Sequence, residues 1–129
     1  MSIARLIKRT IPLALGGALT VAALATTPAS AYSSGWWTSQ GKGAEGFYDS
    51  NSGRVYAGDL KRDGYSAITQ VRTVRNDYYV THVVDKSVNG HGAWKTPSLY
   101  RGVNYKIRVC VFKPGHRPTK CSAWHGFQR

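Results

Sequence analysis

Six carboxylates, four histidines and two cysteines are the side chains through which this 129-residue chain would do chemistry. The acids are Glu45, Asp49, Asp59, Asp63, Asp77 and Asp85. Glycoside hydrolysis needs two carboxyl groups facing each other across a substrate at a fixed separation. Asp59 and Asp63 are close in sequence, but Asp63-Gly64 reads as a turn and Asp59 as a strand end, which makes both turn residues. A calcium ion on that pair would need further oxygen ligands, and none is assigned nearby. His82, His91, His116 and His125 are scattered, and His91 and His116 sit in Gly- or Pro-rich stretches. None of them forms a recognised ligand pair or base-nucleophile pair, so they read as surface or packing residues. A Gly-x-Ser-x-Gly nucleophile context is missing as well. The expectation is a protein without catalytic residues, metal or cofactor.

The cysteines point to compartment rather than catalysis. Residues 1–10 carry Arg5, Lys8 and Arg9, residues 11–25 are an apolar run, and Ala29-Ser30-Ala31 gives the small-x-small pattern of signal peptidase cleavage. That run is too short and too interrupted by Gly and Thr for a membrane span of about 20 apolar residues. Residues 1–31 therefore read as a signal peptide, leaving 98 of the 129 residues (32–129) as an exported, extracellular protein. In an oxidising exterior, Cys110 and Cys121, 11 positions apart, are expected to form a disulfide. Zinc would call for more ligands at tighter spacing.

Charge is distributed unevenly. Without Arg5, Lys8 and Arg9, 15 of the 18 basic residues remain against 6 acidic ones, a formal charge of +9. Residues 32–85 hold 6 of each sign, so the excess lies in 86–129, with 9 basic residues and no Asp or Glu. Such a field steers a domain toward anionic partners, although it also serves solubility. The export signal argues against nucleic acid as a partner, and no helix-turn-helix, RNP-like or Arg-rich tract is present. An amphipathic basic helix that would insert into a membrane is also missing from 32–129.

These residues need a scaffold, and the sequence describes a β one. Alternation and turn residues recur after residue 44, giving candidate strands at 46–48, 54–59, 65–74, 78–85, 93–96, 103–112 and 120–124. Turns are marked by Asn51-Ser52-Gly53, Asp63-Gly64, Asn76-Asp77, Asn89-Gly90 and Pro114-Gly115. Seven short strands at this spacing predict an all-β sandwich or small barrel in one domain, 45–129. In 103–111, Val103, Tyr105, Ile107, Val109 and Val111 alternate with Asn104, Lys106, Arg108 and Cys110. Period two sends the first set to the core and puts Cys110 on the solvent face, so the disulfide staples a hairpin from outside.

Residues 32–44, rich in Gly and Ser, read as a flexible extended arm carrying Trp36 and Trp37, the expected partner-binding residues. Adjacent residues in a strand cannot both face the core. At least one of the two Trp is therefore expected at a partner or at the rim, while the other is free to fold back as a core residue. Trp94, Trp124 and Phe127 read as sheet-face residues, with 91–94 and 124–129 as further contact surfaces.

The stretch from Leu99 through Gly102 and Tyr105 to Val109 resembles the Leu-x-x-Gly-x-x-Tyr-x-x-x-Val pattern of fibronectin type III-like sandwiches. That resemblance implies an immunoglobulin/fibronectin-III-like sandwich in which Tyr105 makes a tyrosine corner and Leu99 plugs the bottom. The leader, the arm, Asp63-Gly64-Tyr65-Ser66-Ala67 and the terminal Arg-Val-Cys…Cys-Ser-Ala-Trp hairpin are similar to small exported actinobacterial proteins. Within that group the layout resembles the adaptor subunits of Streptomyces umbrella toxin particles. This implies a non-enzymatic connector between two protein partners, a large repeat-containing toxin subunit and a lectin-like subunit, with 32–44 as the strap. The alternatives are a free cationic antimicrobial acting through 86–129 and a hydrolase inhibitor presenting loop 113–120.

Overall fold

Alternating β-branched and aromatic positions set the architecture, a computed structural model of which describes residues 34–88 and 90–129. The expected signal peptide 1–31, residues 32–33 and Asn89 of one expected turn lie outside the described residues. Eight strands form: β1 (Trp37–Thr38), β2 (Ala44–Asp49), β3 (Arg54–Asp59), β4 (Ser66–Thr73), β5 (Tyr79–Asp85), β6 (Ala93–Lys95), β7 (Asn104–Phe112) and β8 (His125–Gln128). They build two four-stranded antiparallel sheets, ordered β1-β2-β3-β6 and β5-β4-β7-β8, packed as a small β-sandwich. Among the described residues, the only helical element is a single 3₁₀ turn, Gln40–Lys42.

The core lies between the sheets and follows the period of two. Tyr105, Ile107, Val109 and Val111 of β7 point inward: the first two cluster with Tyr48 of β2, Val55 and Ala57 of β3, Val71 of β4 and Val83 of β5, the last two with Ala44 of β2 and Ala67 of β4. Tyr48 stacks on Phe127 of β8 with ring centres 4.6 Å apart. Leu99 is buried in the same cluster, and the buried Tyr105 hydroxyl accepts a hydrogen bond from the Tyr100 backbone N–H at 2.8 Å. That bond reaches five residues upstream, the sense in which a tyrosine corner ties a crossing loop to its strand.

The two open edges of the sandwich are closed by side chains. On the β1 side, the half-buried Trp37 ring reaches across to β8 and lies parallel to His125, 3.4 Å away at 4°. Its Nε1–H donates to the Ser34 carbonyl at 2.8 Å, satisfying the one polar group that burial would otherwise strand. On the opposite side, the Lys95 ammonium of β6 donates to the His82 carbonyl of β5 at 2.8 Å. An edge carbonyl capped by lysine is a poor template for another strand.

Residues 34–44 thus depart from the flexible arm expected of 32–44. Ser34 brackets Tyr48, donating its N–H to the Tyr48 carbonyl (3.2 Å) and accepting the Tyr48 N–H on its hydroxyl (2.8 Å). Trp37 pairs with Gly46, and Gln40 donates from its backbone to the Lys120 carbonyl (2.8 Å) and from its amide to the Cys121 carbonyl (3.0 Å). Half-buried Trp37 and the backbone bonds on both sides anchor the segment, which the Gly and Ser content concealed.

The second departure concerns the last strand, expected at 120–124 and found at His125–Gln128. Thr119 bridges Val111, but Lys120 adopts a positive φ of 52° and breaks the extended run. Ser122 then holds the segment against β7 with its N–H on the Val109 carbonyl (2.8 Å) and its hydroxyl on the Val109 N–H (3.0 Å). A side chain stands in for half of a ladder pair there. Cys110 and Cys121 are joined across this contact, Cα atoms 4.0 Å apart, on the outer face of one sheet. Cys110 lies on that outer face yet is fully buried, because the 119–123 segment covers it.

Replacing both cysteines by serine is expected to cost about 3 kcal/mol, read as a lower denaturant midpoint in oxidised buffer. A pH dependence follows from the closed edges. Burial holds His125 below the ordinary imidazole value, and burial with Lys95 nearby does so at His82. As pH falls, the unfolded chain takes up protons before the folded one does. Stabilisation is therefore full above about pH 6.5 and is lost as the pH drops through the lower folded values. Urea melts at pH 7 and pH 5, each value about, should show the loss, and His125→Phe should shrink it while keeping the stack on Trp37.

Candidate functional site

Strand register collects aromatic rings on the outer face of the β1-β2-β3-β6 sheet. Phe47 of β2 lies opposite Tyr56 of β3, which lies opposite Trp94 of β6. All three point away from the core because Tyr48, Val55 and Ala57 point into it. Phe47 and Tyr56 have ring centres 5.5 Å apart, and Tyr56 and Trp94 4.6 Å. Trp94 meets Phe47 nearly edge-on, at 5.7 Å and 83°.

Trp36 completes the cluster. Since Trp37 turns inward, Trp36 must turn outward, and its indole stacks on Phe47 at 4.1 Å and 29°. It remains 59% exposed and Trp94 38% exposed, whereas Tyr56 beneath them is only 8% exposed. Tyr56 is thus the floor, with Trp36 and Trp94 as two raised walls. The floor fits because Gly58 and Gly92 lie against the Tyr56 ring; a methyl group on either would overlap it. Gly92 also has φ of 66°, a conformation side chains disfavour.

Polar groups fringe the cluster. The Tyr56 hydroxyl donates to Glu45 Oε2 at 3.4 Å, and burial first, then Glu45, raises its pKa above the ordinary phenol value. The Arg54 guanidinium lies 4.3 Å from the Trp94 ring centre. Asp49, opposite Arg54 in the ladder, spends its carboxylate on the Asn51 N–H (3.0 Å) and the Ser52 hydroxyl (2.9 Å). Trp, Tyr and Arg in one semi-exposed patch are the residue types that carry most interface energy.

Of the two expected partner-binding residues, the structure puts Trp36 on this surface and Trp37 in the edge closure. Trp94 joins Trp36, while Phe127 is a core residue and Trp124 lies beneath Lys106 (4.9 Å) and Arg108 (4.6 Å) on the other sheet. Asp77 pairs there with Lys106 at 2.9 Å and Arg72 at 3.7 Å, and the Lys106 bond first holds its carboxyl below the usual range. Phe47 and Tyr56 went unassigned by sequence reading. Their signal is the same alternation that buries Tyr48 and Val55, but it needs the core side of β2 and β3 to be known.

Asp59 and Asp63 accept backbone N–H groups two residues on, from Lys61 (3.3 Å) and Tyr65 (3.0 Å), which is turn chemistry. Among the described residues, no three His, Cys, Asp or Glu side chains group as a metal site. Compared with protein-family models, curated proteins and solved structures, the chain matches none.

Gly92→Ala is expected to unseat Tyr56 and loosen the cluster. Near-ultraviolet circular dichroism should lose aromatic intensity while far-ultraviolet spectra stay unchanged. Trp36→Ala should cost only about 1 kcal/mol, the scale of one aromatic pair, whereas Trp37→Ala should cost about 3 kcal/mol by opening the edge.

Proposed function

We propose that this chain is a secreted, non-enzymatic binding subunit that captures a protein partner on the outer face of the β1-β2-β3-β6 sheet. The observation that carries the reading is the exposed pair Trp36 and Trp94, raised on Phe47 and Tyr56. Large rings half open to water gain most when a partner covers them, and held rings lose little side-chain entropy on binding. The flanking Arg54 and Glu45 supply a polar rim, the anatomy of a protein contact. Export is supported by the leader pattern in 1–31 and by the paired cysteines.

The specific form of this reading is an adaptor that joins a large repeat-containing toxin subunit to a lectin-like subunit. Within it, the sandwich is immunoglobulin/fibronectin-III-like. The order β2-β3-β6 within the sheet β1-β2-β3-β6, the order β5-β4-β7-β8 of the other sheet and the Tyr105 bond to the loop before β7 support that likeness. The strap shifts from a free arm to a fixed segment presenting one Trp.

The test is affinity capture of the tagged protein from the culture supernatant of its own organism. Recovery of both partner classes, lost in Trp36→Ala with Trp94→Ala although the variant keeps its far-ultraviolet spectrum and melts cooperatively, is the expected result. Capture undiminished by that double variant overturns the surface, and recovery of the protein alone overturns the adaptor form.

A further inference from the structure

A second site lies at one pole of the sandwich, away from the aromatic face. Strand pairing Ala44↔Asp59, Ser66↔Phe112 and Ala67↔Asp85 brings the ends of five strands to that pole. Segments 39–43, 60–65, 86–88 and 113–124 therefore converge there, carrying seven Lys or Arg and a single Asp. Between them lies a cavity of about 480 Å³, within the range of roughly 300–1,000 Å³ that small ligands fill.

Three kinds of group line it. Tyr65, Val88 and Pro114 give apolar surface, while Lys61, Arg62 and Lys86 give positive charge. Asp59 and Asp63 contribute carboxylates. The Lys61 ammonium donates to the Gly41 carbonyl at 2.6 Å, which positions it and leaves two of its three donors. Lys113 holds its ammonium 5.2 Å from the Tyr65 ring centre and adds to the field. Asp85 faces inward, its carboxylate capping the Asp59 N–H (2.8 Å) and Ser87 N–H (3.2 Å) rather than lining the cavity.

This donor set discriminates among anions. Polyphosphate and anionic lipid headgroups are acceptor-rich, so Asp59 and Asp63 would repel them. A sugar acid offers hydroxyl donors for the two carboxylates, a carboxylate for Lys61, Arg62 and Lys86, and a C–H face for Tyr65 and Pro114. We propose that this cavity binds an acidic sugar unit of the uronic-acid type, presented by a polysaccharide. The site draws Lys61 and Arg62 from the charge-balanced part of the chain and Lys86 from the basic part, and it is independent of the aromatic face.

Trigalacturonate is the probe, titrated into the protein at physiological salt and followed by amide shifts of Tyr65, Ser66 and Val88. Saturable binding is expected, weakened about tenfold by Arg62→Gln with Lys86→Gln. Asp63→Asn keeps the oxygen that accepts the Tyr65 N–H but removes a negative charge. It should weaken trigalacturonate binding, whereas attraction of a generic anion would grow stronger. Tighter or unchanged binding in Asp63→Asn overturns the proposal. So does tripolyphosphate binding as tightly as trigalacturonate, or trigalacturonate failing to bind at all. Trp36→Ala with Trp94→Ala should bind the probe normally, so failure here and failure of the protein-partner reading are distinguishable.

Discussion

Neighbouring residues in a strand go to opposite faces, and at Trp36 and Trp37 that geometric rule couples the interior to the surface. Trp37 turns inward because the edge between β1 and β8 would otherwise stand open, and its ring meets His125 in parallel contact. Trp36 has no choice but to turn outward, where Phe47 provides a seat. Edge closure and the exposed aromatic surface are therefore one decision made at a single peptide bond. A shift of one residue in the β1–β2 register would exchange the two rings and undo both.

Charge and aromatic character are segregated over the rest of the molecule. The aromatic cluster occupies a sheet face on which Glu45 and Arg54 oppose each other in sign. Lys106, Arg108 and Arg72 gather on the other sheet, where Trp124 and Asp77 partly absorb them. The loop pole carries cations with much less compensation. A molecule of this size thus displays three chemically distinct surfaces on one frame.

Much of the frame was legible from residue patterns. The alternation in 103–111 located β7 within a residue of its observed start and identified its inward set. Cys110 and Cys121 were expected to join outside the core, and they do, though the covering segment buries Cys110 completely. Lys120 hid the true last strand: a lysine carries no propensity signal for positive φ, so 120–124 looked extended. The segment 34–44 was opaque for another reason. Gly and Ser suggested freedom, while its order comes from long-range bonds to Tyr48, Lys120 and Cys121 that no local window contains. The aromatic cluster was half legible, because Trp36 and Trp94 stand out as exposed types whereas Phe47 and Tyr56 look like core until the sheet's orientation is fixed.

The bonds from Gln40 to Lys120 and Cys121, with Trp37 against His125, join the first described strand to the last stretch of the chain. Contacts of such long sequence separation are slow to form, since the intervening loop must close before they reward it. In a chain emerging N-terminus first, this segment can pair with β2 early, but its contacts to Lys120, Cys121 and His125 wait for the last residues. The seam between β1 and β8 therefore closes only when both ends of the described chain are present.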